Sequence, residues 1–454
     1  MINLRSLCAA ALLLLSLPLY ATEAKDVKTF SLDNGMKFLV LEDHSIPNAN
    51  MYLFWKVGSR NEVPGITGLS HFFEHMMFNG SANYGPKMFD RTMEAAGGAN
   101  NAYTTENTTV YTDWFPAPAL ETIFKLEADR IGALSLDDKM VESERGVVTS
   151  ERSTGLENSN FRTIWEEVKG IAFRAHPYSW PVIGHQSDID SWSTQDLADF
   201  FKTYYAPNNA VVVISGDVDT AQVKQLAQRY FGPIPASEAP RAVRTVEPPQ
   251  KGERRVFVAK ASVTSPNLMI GYKIPASSHK DYFALSLLAS LLGDGNSSRL
   301  HRQLVDEQQL ATEVFTYMPE SFDPNLFYIY AIAADGVSAE ALEQGIYSVL
   351  AAVKAEGVDA DELQKAKNGK LMEFYRTLET INGKADTLGT YELFFGGYEN
   401  LFKAPQDYNR VSLEDIQTAA RLYFSRAQRS VGILAKTEPT DAPATAAAAI
   451  EQGE

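Results

Sequence analysis

The pentapeptide His71-Phe72-Phe73-Glu74-His75 holds the residue types and spacing best suited to chemistry in this chain. On an α-helix, positions i and i+4 stand one above the other on the same face, so both imidazoles can reach a single ion. Glu74, at i+3, sits beside them. Neutral imidazole nitrogen suits zinc, and a catalytic zinc site keeps one position for water. A carboxylate placed like that of Glu74 can take the proton of that water as it attacks a carbonyl. Histidine is rare here, with 7 residues in 454, so this pairing is an uncommon accident. The flanking Phe72, Phe73, Met76 and Met77 imply burial, and buried histidines beside a buried glutamate need strong partners.

Two protein ligands are too few, and a third must come from elsewhere. Glu142, Glu144 and Glu151 occur in the helix-like segment VESERGVVTSER. Glu144 and Glu151 lie two turns apart on one helical face, and the residues alone leave the choice between them open. Other chemistries are excluded more readily. The sole cysteine, Cys8, lies in a leader-like segment, which removes thiol nucleophiles and cysteine-ligated zinc from the mature chain. No Gly-x-Ser-x-Gly element marks a serine nucleophile. A formal charge of −16 argues against a nucleic-acid partner, because phosphate binding needs a positive surface.

The elements that must position these residues are legible as patterns. Thr29 to Glu42 reads as two strands around a turn at Asp33-Asn34-Gly35, and Asn50 to Val57 as another strand. Gly65 to Phe78 switches to helical spacing, and Ala119 to Ala133 and Lys139 to Arg152 continue it. Val211 to Ser215 is a short buried strand. A Pro- and charge-rich break precedes strands at Arg254 to Ala259 and Asn267 to Tyr272 and a helix at Tyr282 to Leu292. Strand, strand, helix in both halves points to a duplication. The expected fold is α+β, with two homologous α/β-sandwich domains of mixed or antiparallel sheet. Their expected bounds are 25–236 for the metal-bearing unit, 237–252 for a linker and 253–437 for the second unit. Residues 438–454, rich in Ala, Thr and Pro, read as a disordered tail.

Residues 1–24 read as a signal peptide: Arg5 gives a positive start, Leu7 to Leu19 an apolar run, and Ala21 or Ala24 a cleavage point. The run is shorter than the ~20 residues a membrane span needs. Export to a bacterial periplasm is the expectation, with secretion beyond it as the alternative.

The segments GLSHFFEHMMFNGSANYG, GGANNAYTTENTTVY and ESERGVVTSER together resemble the pitrilysin/insulinase family of inverted zincins, whose motif is H-x-x-E-H. The likeness is to its short two-domain bacterial and mitochondrial-processing members. It extends through HPYSWPVIG, FFKTYYAPNNAVVVISGDVD and GDGNSSRL and covers most of the mature chain. The resemblance implies a zinc endopeptidase with one Zn2+ per chain, half of a clamshell that encloses peptides or unfolded polypeptides. In the family the third ligand follows the second histidine by about 76 residues, which falls on Glu151. It implies a supporting active-site role for Glu144, and it implies that Asn101, Ala102 and Tyr103 hold substrate as an added strand.

One departure is plain. Active members carry an arginine and a tyrosine seven residues apart shortly after the Ser-Ser-Arg-Leu element, and those places fall on Val305 and Thr312. Arg299 and Arg302 are close but do not precede a tyrosine by that spacing. Tyr317, the nearest downstream tyrosine, has Leu310 in the arginine's place. The expectation is a zinc-carrying subunit whose homologous, zinc-free partner supplies the pair. A non-catalytic peptide-binding or structural subunit of the same family is the alternative.

Overall fold

Strands such as AVVVISG and NLFYIYAIA are apolar without interruption, so both faces of their sheets must be covered. The computed structural model describes residues 22–436. The apolar run of the leader, Cys8, Ala21 and the tail expected at 438–454 lie outside the described residues. In the first half, β1 (Lys28–Ser31), β2 (Lys37–Glu42), β3 (Asn48–Trp55), β4 (Ala99–Thr104), β5 (Thr109–Pro116) and β6 (Ala210–Gly216) form one sheet in the order β1-β2-β6-β3-β5-β4. In the second, β7 (Arg254–Ala259), β8 (Asn267–Ile274), β9 (Ala311–Tyr317), β10 (Asn325–Ala333) and β11 (Arg429–Ala435) pair as β7-β11-β8-β10-β9. β2 runs parallel to β6 and β7 parallel to β11; the remaining pairs are antiparallel. The second order repeats β2-β6-β3-β5-β4 strand for strand. The fold is therefore two mixed α/β domains in a clamshell arrangement, as the sequence led us to expect.

Alternation along each strand sorts side chains between two cores. Met51, Leu53 and Trp55 of β3 and Val212 and Ile214 of β6 point to a core shared with Phe72, Phe73 and Phe124. Tyr52 and Phe54, with Val211 and Val213, point the other way. That outer face is covered by Ala385 and Leu388 of the helix Ile381–Phe394, which belongs to the second half. The reverse also holds. The helix Asn160–Ala172 of the first half lays Ile164, Val168 and Ala172 over Met269, Leu326, Tyr328 and Leu434 of the second sheet. Each such large apolar side chain contributes about 1.5–3 kcal/mol by leaving water. Two glycines permit the approach. A Cβ on Gly389 would run into the Phe54 ring, and one on Gly432 would sit 2.5 Å from Val168 Cγ2.

No helix or strand lies between Tyr230 and Arg254, but the segment is tied down. The Glu247 carboxylate accepts the backbone N–H groups of Arg174, Ala175 and His176 at 2.9–3.1 Å. Among the described residues no helix is long and apolar enough to cross a membrane.

Candidate metal centre

The helix carrying the histidines is shorter than its pattern predicts, Leu69–Met76 rather than 65–78. Gly68, at φ +90°, sets its start; there a Cβ would also sit 2.5 Å from the Ile183 carbonyl. The buried Glu62 carboxylate accepts the Gly68 and Ser70 N–H groups at 2.7 and 2.8 Å, satisfying donors that a helix start leaves free. Burial nevertheless raises Glu62 to about 8, against those hydrogen bonds. Phe72, Phe73, Met76 and Met77 are all buried, as their spacing implied. They fix the helix against the sheet and leave His71, Glu74 and His75 on the remaining face.

The second contributor is the helix Asp138–Asn158, capped by Asp137. Arg145 holds it in place by donating to the carbonyls of Ile189 and Trp192. Glu144 and Glu151 both reach the histidines, from opposite sides of one ring. Glu144 Oε1 lies 2.7 Å from His75 Nδ1, and Asn79 Nδ2 donates to its other oxygen at 2.7 Å. Glu151 Oε2 lies 3.5 Å from His75 Nε2 and 3.7 Å from His71 Nε2. Three such atoms, one each from His71, His75 and Glu151, lie within 4.8 Å of one another; among the described residues no other group of three does so.

These distances fit a zinc ion. Ligands at ~2.1 Å in a tetrahedral arrangement stand about 3.4 Å apart. The electrostatics agree. Burial, then the His75 ring, lowers His71 to about 4, so it is the neutral imidazole a metal requires. Burial works against protonation of His75 too, but Glu144 and then Glu151 outweigh it and raise His75 to about 9. The carboxylates that favour a proton there favour any cation. Hydrogen bonding to His75 holds both Glu144 and Glu151 below the usual carboxylate range.

Glu74 stands beside this group, and Thr104 Oγ1 donates to its Oε2 at 2.6 Å. Burial raises Glu74, with Thr104 and His75 opposing. Thr104 ends β4, whose outer edge carries no neighbouring strand among the described residues. Ala102, Tyr103 and Thr104 line the same cavity as His71, Glu74 and Glu151; Asn101 is exposed on that edge and does not line it. Val305 packs against the core of the second half, and the exposed Thr312 bonds its own sheet at the Ile332 carbonyl. Arg299 is held by Glu362 at 2.5 and 3.0 Å, away from the centre.

The Thr104 bond had no sequence signal, since a hydroxyl 30 residues from Glu74 is ordinary strand composition. Trp165 and Tyr317, which also line the cavity, were equally hidden. The motif HPYSWPVIG was a usable hint, because its Pro181, Val182 and Ile183 complete that lining.

Two family profiles match the chain: "Insulinase (Peptidase family M16)" over residues 37–186 and "Peptidase M16 inactive domain" over 191–370. The zinc protease PqqE of Helicobacter pylori is 31% identical over 420 residues, 90% of this chain and 92% of that protein. The crystal structure of a protease from Helicobacter pylori superposes with a TM-score of 0.87 at 31% identity, covering 90% of this chain and 99% of the other. The periplasmic protease PqqL of Escherichia coli shares the fold, with a TM-score of 0.76 at 18% identity over 92% of this chain and 48% of its own.

Proposed function

We propose that this chain, which belongs to the insulinase (peptidase M16) family, is a zinc-dependent endopeptidase acting on peptides or unfolded polypeptides. The observation that carries the reading is the convergence of His71, His75 and Glu151 within 4.8 Å, with Glu74 beside them. One zinc ion per chain would be held by these three residues; when bound, it supplies a Lewis acid that polarises the scissile carbonyl and acidifies water. Glu144 accepts the Nδ1–H of His75, which fixes the tautomer and leaves Nε2 as the nitrogen that would hold the ion. Glu74 takes a proton from the attacking water and returns it to the leaving amine. The substrate lies extended along the free edge of β4, at Asn101, Ala102 and Tyr103, where backbone hydrogen bonds tolerate varied side chains.

Val305 has no donor and the Thr312 hydroxyl is turned to the Ile332 carbonyl, so the working unit pairs this chain with a homologous subunit that carries the arginine and tyrosine. The units 25–236 and 253–437, joined through 237–252, would form this chain's half of the enclosure. The leader at 1–24 points to export, and the periplasm is the compartment of PqqL, which has the same fold. The same departure at Val305 and Thr312 favours one rival, a subunit that binds peptide without cutting it.

Glu74→Gln separates the two. We expect zinc content to stay at about one per chain while cleavage falls by about 10³-fold or more. Cleavage that survives the substitution would refute the role of Glu74. The purified chain alone should bind zinc and cleave poorly; full activity from a strict homodimer would remove the need for a second kind of subunit.

A further inference from the structure

His71, Glu74, His75 and Glu151 all belong to the first half, yet the second half reaches them through a chain of hydrogen bonds. The hairpin of β4 and β5 turns at residues 105–108, where the Thr105 N–H donates to the Thr108 carbonyl at 2.8 Å. Thr105 Oγ1 accepts the N–H groups of Asn107 and Thr108, each at 3.0 Å, which fixes the shape of the turn. One residue before it, Thr104 donates to Glu74. On its flank, the carbonyls of Thr105 and Glu106 accept the N–H groups of Ser59 and Arg60 at 3.3 and 3.0 Å. That segment runs on to Glu62, which holds the start of the helix Leu69–Met76. The turn therefore touches both elements that place Glu74.

The same turn is gripped from the second half. The loop 318–324, between β9 and β10, passes over Asn107, which is 1% exposed. Asn107 Nδ2 donates to the Glu320 carbonyl at 3.2 Å, and its Oδ1 accepts the Phe322 N–H at 3.3 Å. A neighbouring strand would offer the loop the same donor and acceptor, so the side-chain amide holds main chain and ignores the loop's own side chains. Tyr178 completes the group: its hydroxyl donates to Asn107 Oδ1 at 2.5 Å and accepts the Asp323 N–H at 3.3 Å. Arg60 anchors the far end of the loop through Asp323 at 2.6 Å. Ser277 ties the loop to its own half, accepting the Ser321 N–H at 2.8 Å and donating to the Ser321 carbonyl at 3.0 Å. A buried network of this kind stiffens what it joins, and one missing member leaves desolvated groups behind.

We propose that Asn107 is a positioning residue, which passes the seating of the second half to Thr104 and through it to the Glu74 carboxylate. The second half holds none of the metal-centre residues, and its loop acts on the chemistry by fixing the tip of the hairpin. With that tip released, the Thr104 hydroxyl no longer has one place beside Glu74. The inference rests on the reading of Glu74 as the catalytic base.

Two measurements test it on the zinc-loaded chain, kept with any subunit that co-purifies. In hydrogen exchange read by mass spectrometry, Asn107→Ala should speed exchange about tenfold or more at residues 104–109 and leave β7 unchanged. Peptide cleavage should lose about tenfold in kcat, with KM and zinc content within about twofold of the parent. Thr104→Val should lose about as much. The double variant should lose about tenfold and not about a hundredfold, because both changes act through one contact. Should Asn107→Ala melt early, Tyr178→Phe, which removes a single hydroxyl, decides in its place by the same non-additive loss with Thr104→Val. The inference is overturned if exchange at the hairpin is unchanged, if kcat is unchanged, if the loss lies in KM alone, or if the losses multiply in the double variant. A parent without zinc-dependent cleavage overturns the peptidase reading and this inference with it, whereas faster exchange with unchanged kcat overturns the inference alone.

Discussion

The helix Leu69–Met76 and the helix Tyr282–Gly293 hold the same place in two sheets of the same order, each following the strand next to the parallel pair and preceding the edge hairpin. One carries His71, Glu74 and His75; the other reads YFALSLLASLLG, without a titratable group except Tyr282, and is packed as core. Topology therefore does not make the metal centre. What differs is the supply of partners. Around the first helix stand Glu62 at its start, Thr104 on the edge strand and the two glutamates of Asp138–Asn158. Polar residues on a buried helix are tolerated where partners are supplied, here for all but His71 Nδ1 and Ser70 Oγ, and apolar ones fill the place where none is supplied.

The two halves also cover one another. The largest effect belongs to the half that holds His71, His75 and Glu151. Glu151→Gln should lose zinc, measured by metal analysis after gel filtration, and with it at least about 10³-fold of peptide cleavage, since an open three-ligand set is the minimum for catalytic zinc. Full zinc retention would mean that another carboxylate is the ligand. Next comes the cover itself. Gly432→Val forces a side chain against Val168 and Ile164, and urea unfolding should show about 3 kcal/mol of lost stability. A neutral result would show that the crossing helix is not seated on that sheet.

A smaller effect comes from Lys273, buried over the Phe173 ring with its ammonium 3.2 Å from the centroid. Burial lowers it to about 7 from 10.5, Glu247 opposing. Because the folded state binds this proton more weakly than the unfolded one, protonation costs stability. The penalty is full below about pH 7 and fades as pH rises towards 10.5. Lys273→Met should therefore gain on the order of 2 kcal/mol at pH 6 and only a few tenths at pH 10, read from denaturation midpoints at both. An equal gain at both would place the ammonium in water. The smallest effect is at Thr104: removing its hydroxyl with Thr104→Val should lower kcat about tenfold with KM and zinc unchanged, and Thr104→Ser should restore it. A loss in KM alone would assign the hydroxyl to substrate and not to Glu74.

Sequence periodicity carried the elements whose signals are local. Strands β2, β3, β6, β7 and β8 and the helices at Leu120–Ala133, Asp138–Asn158 and Tyr282–Gly293 lie where alternation or helical spacing puts them. The helix at the motif was overextended because its apolar spacing continues past Met76, while the positive φ of Gly65 and Gly68 ends it at the other side. The exchange of covering helices was not legible. Asn160–Ala172 and Ile381–Phe394 look like any amphipathic or apolar helix, and nothing in a helix's own pattern names the sheet that will bury it.

By itself, the sequence determined the pairing of His71 with His75, the place of Glu74 beside them, and the shared face of Glu144 and Glu151. All three follow from a period of 3.6 residues per turn, which is a property of neighbours along the chain. Only the tertiary structure decided that Glu144 meets Nδ1 and Glu151 meets Nε2, that Thr104 holds Glu74, and that Trp165 and Tyr317 close the cavity. Those contacts join segments from different elements of both halves, and their distances are fixed by the order of strands in the two sheets and the helices crossed between them. That order is a solution to burying two apolar faces at once, which no single stretch of chain can encode.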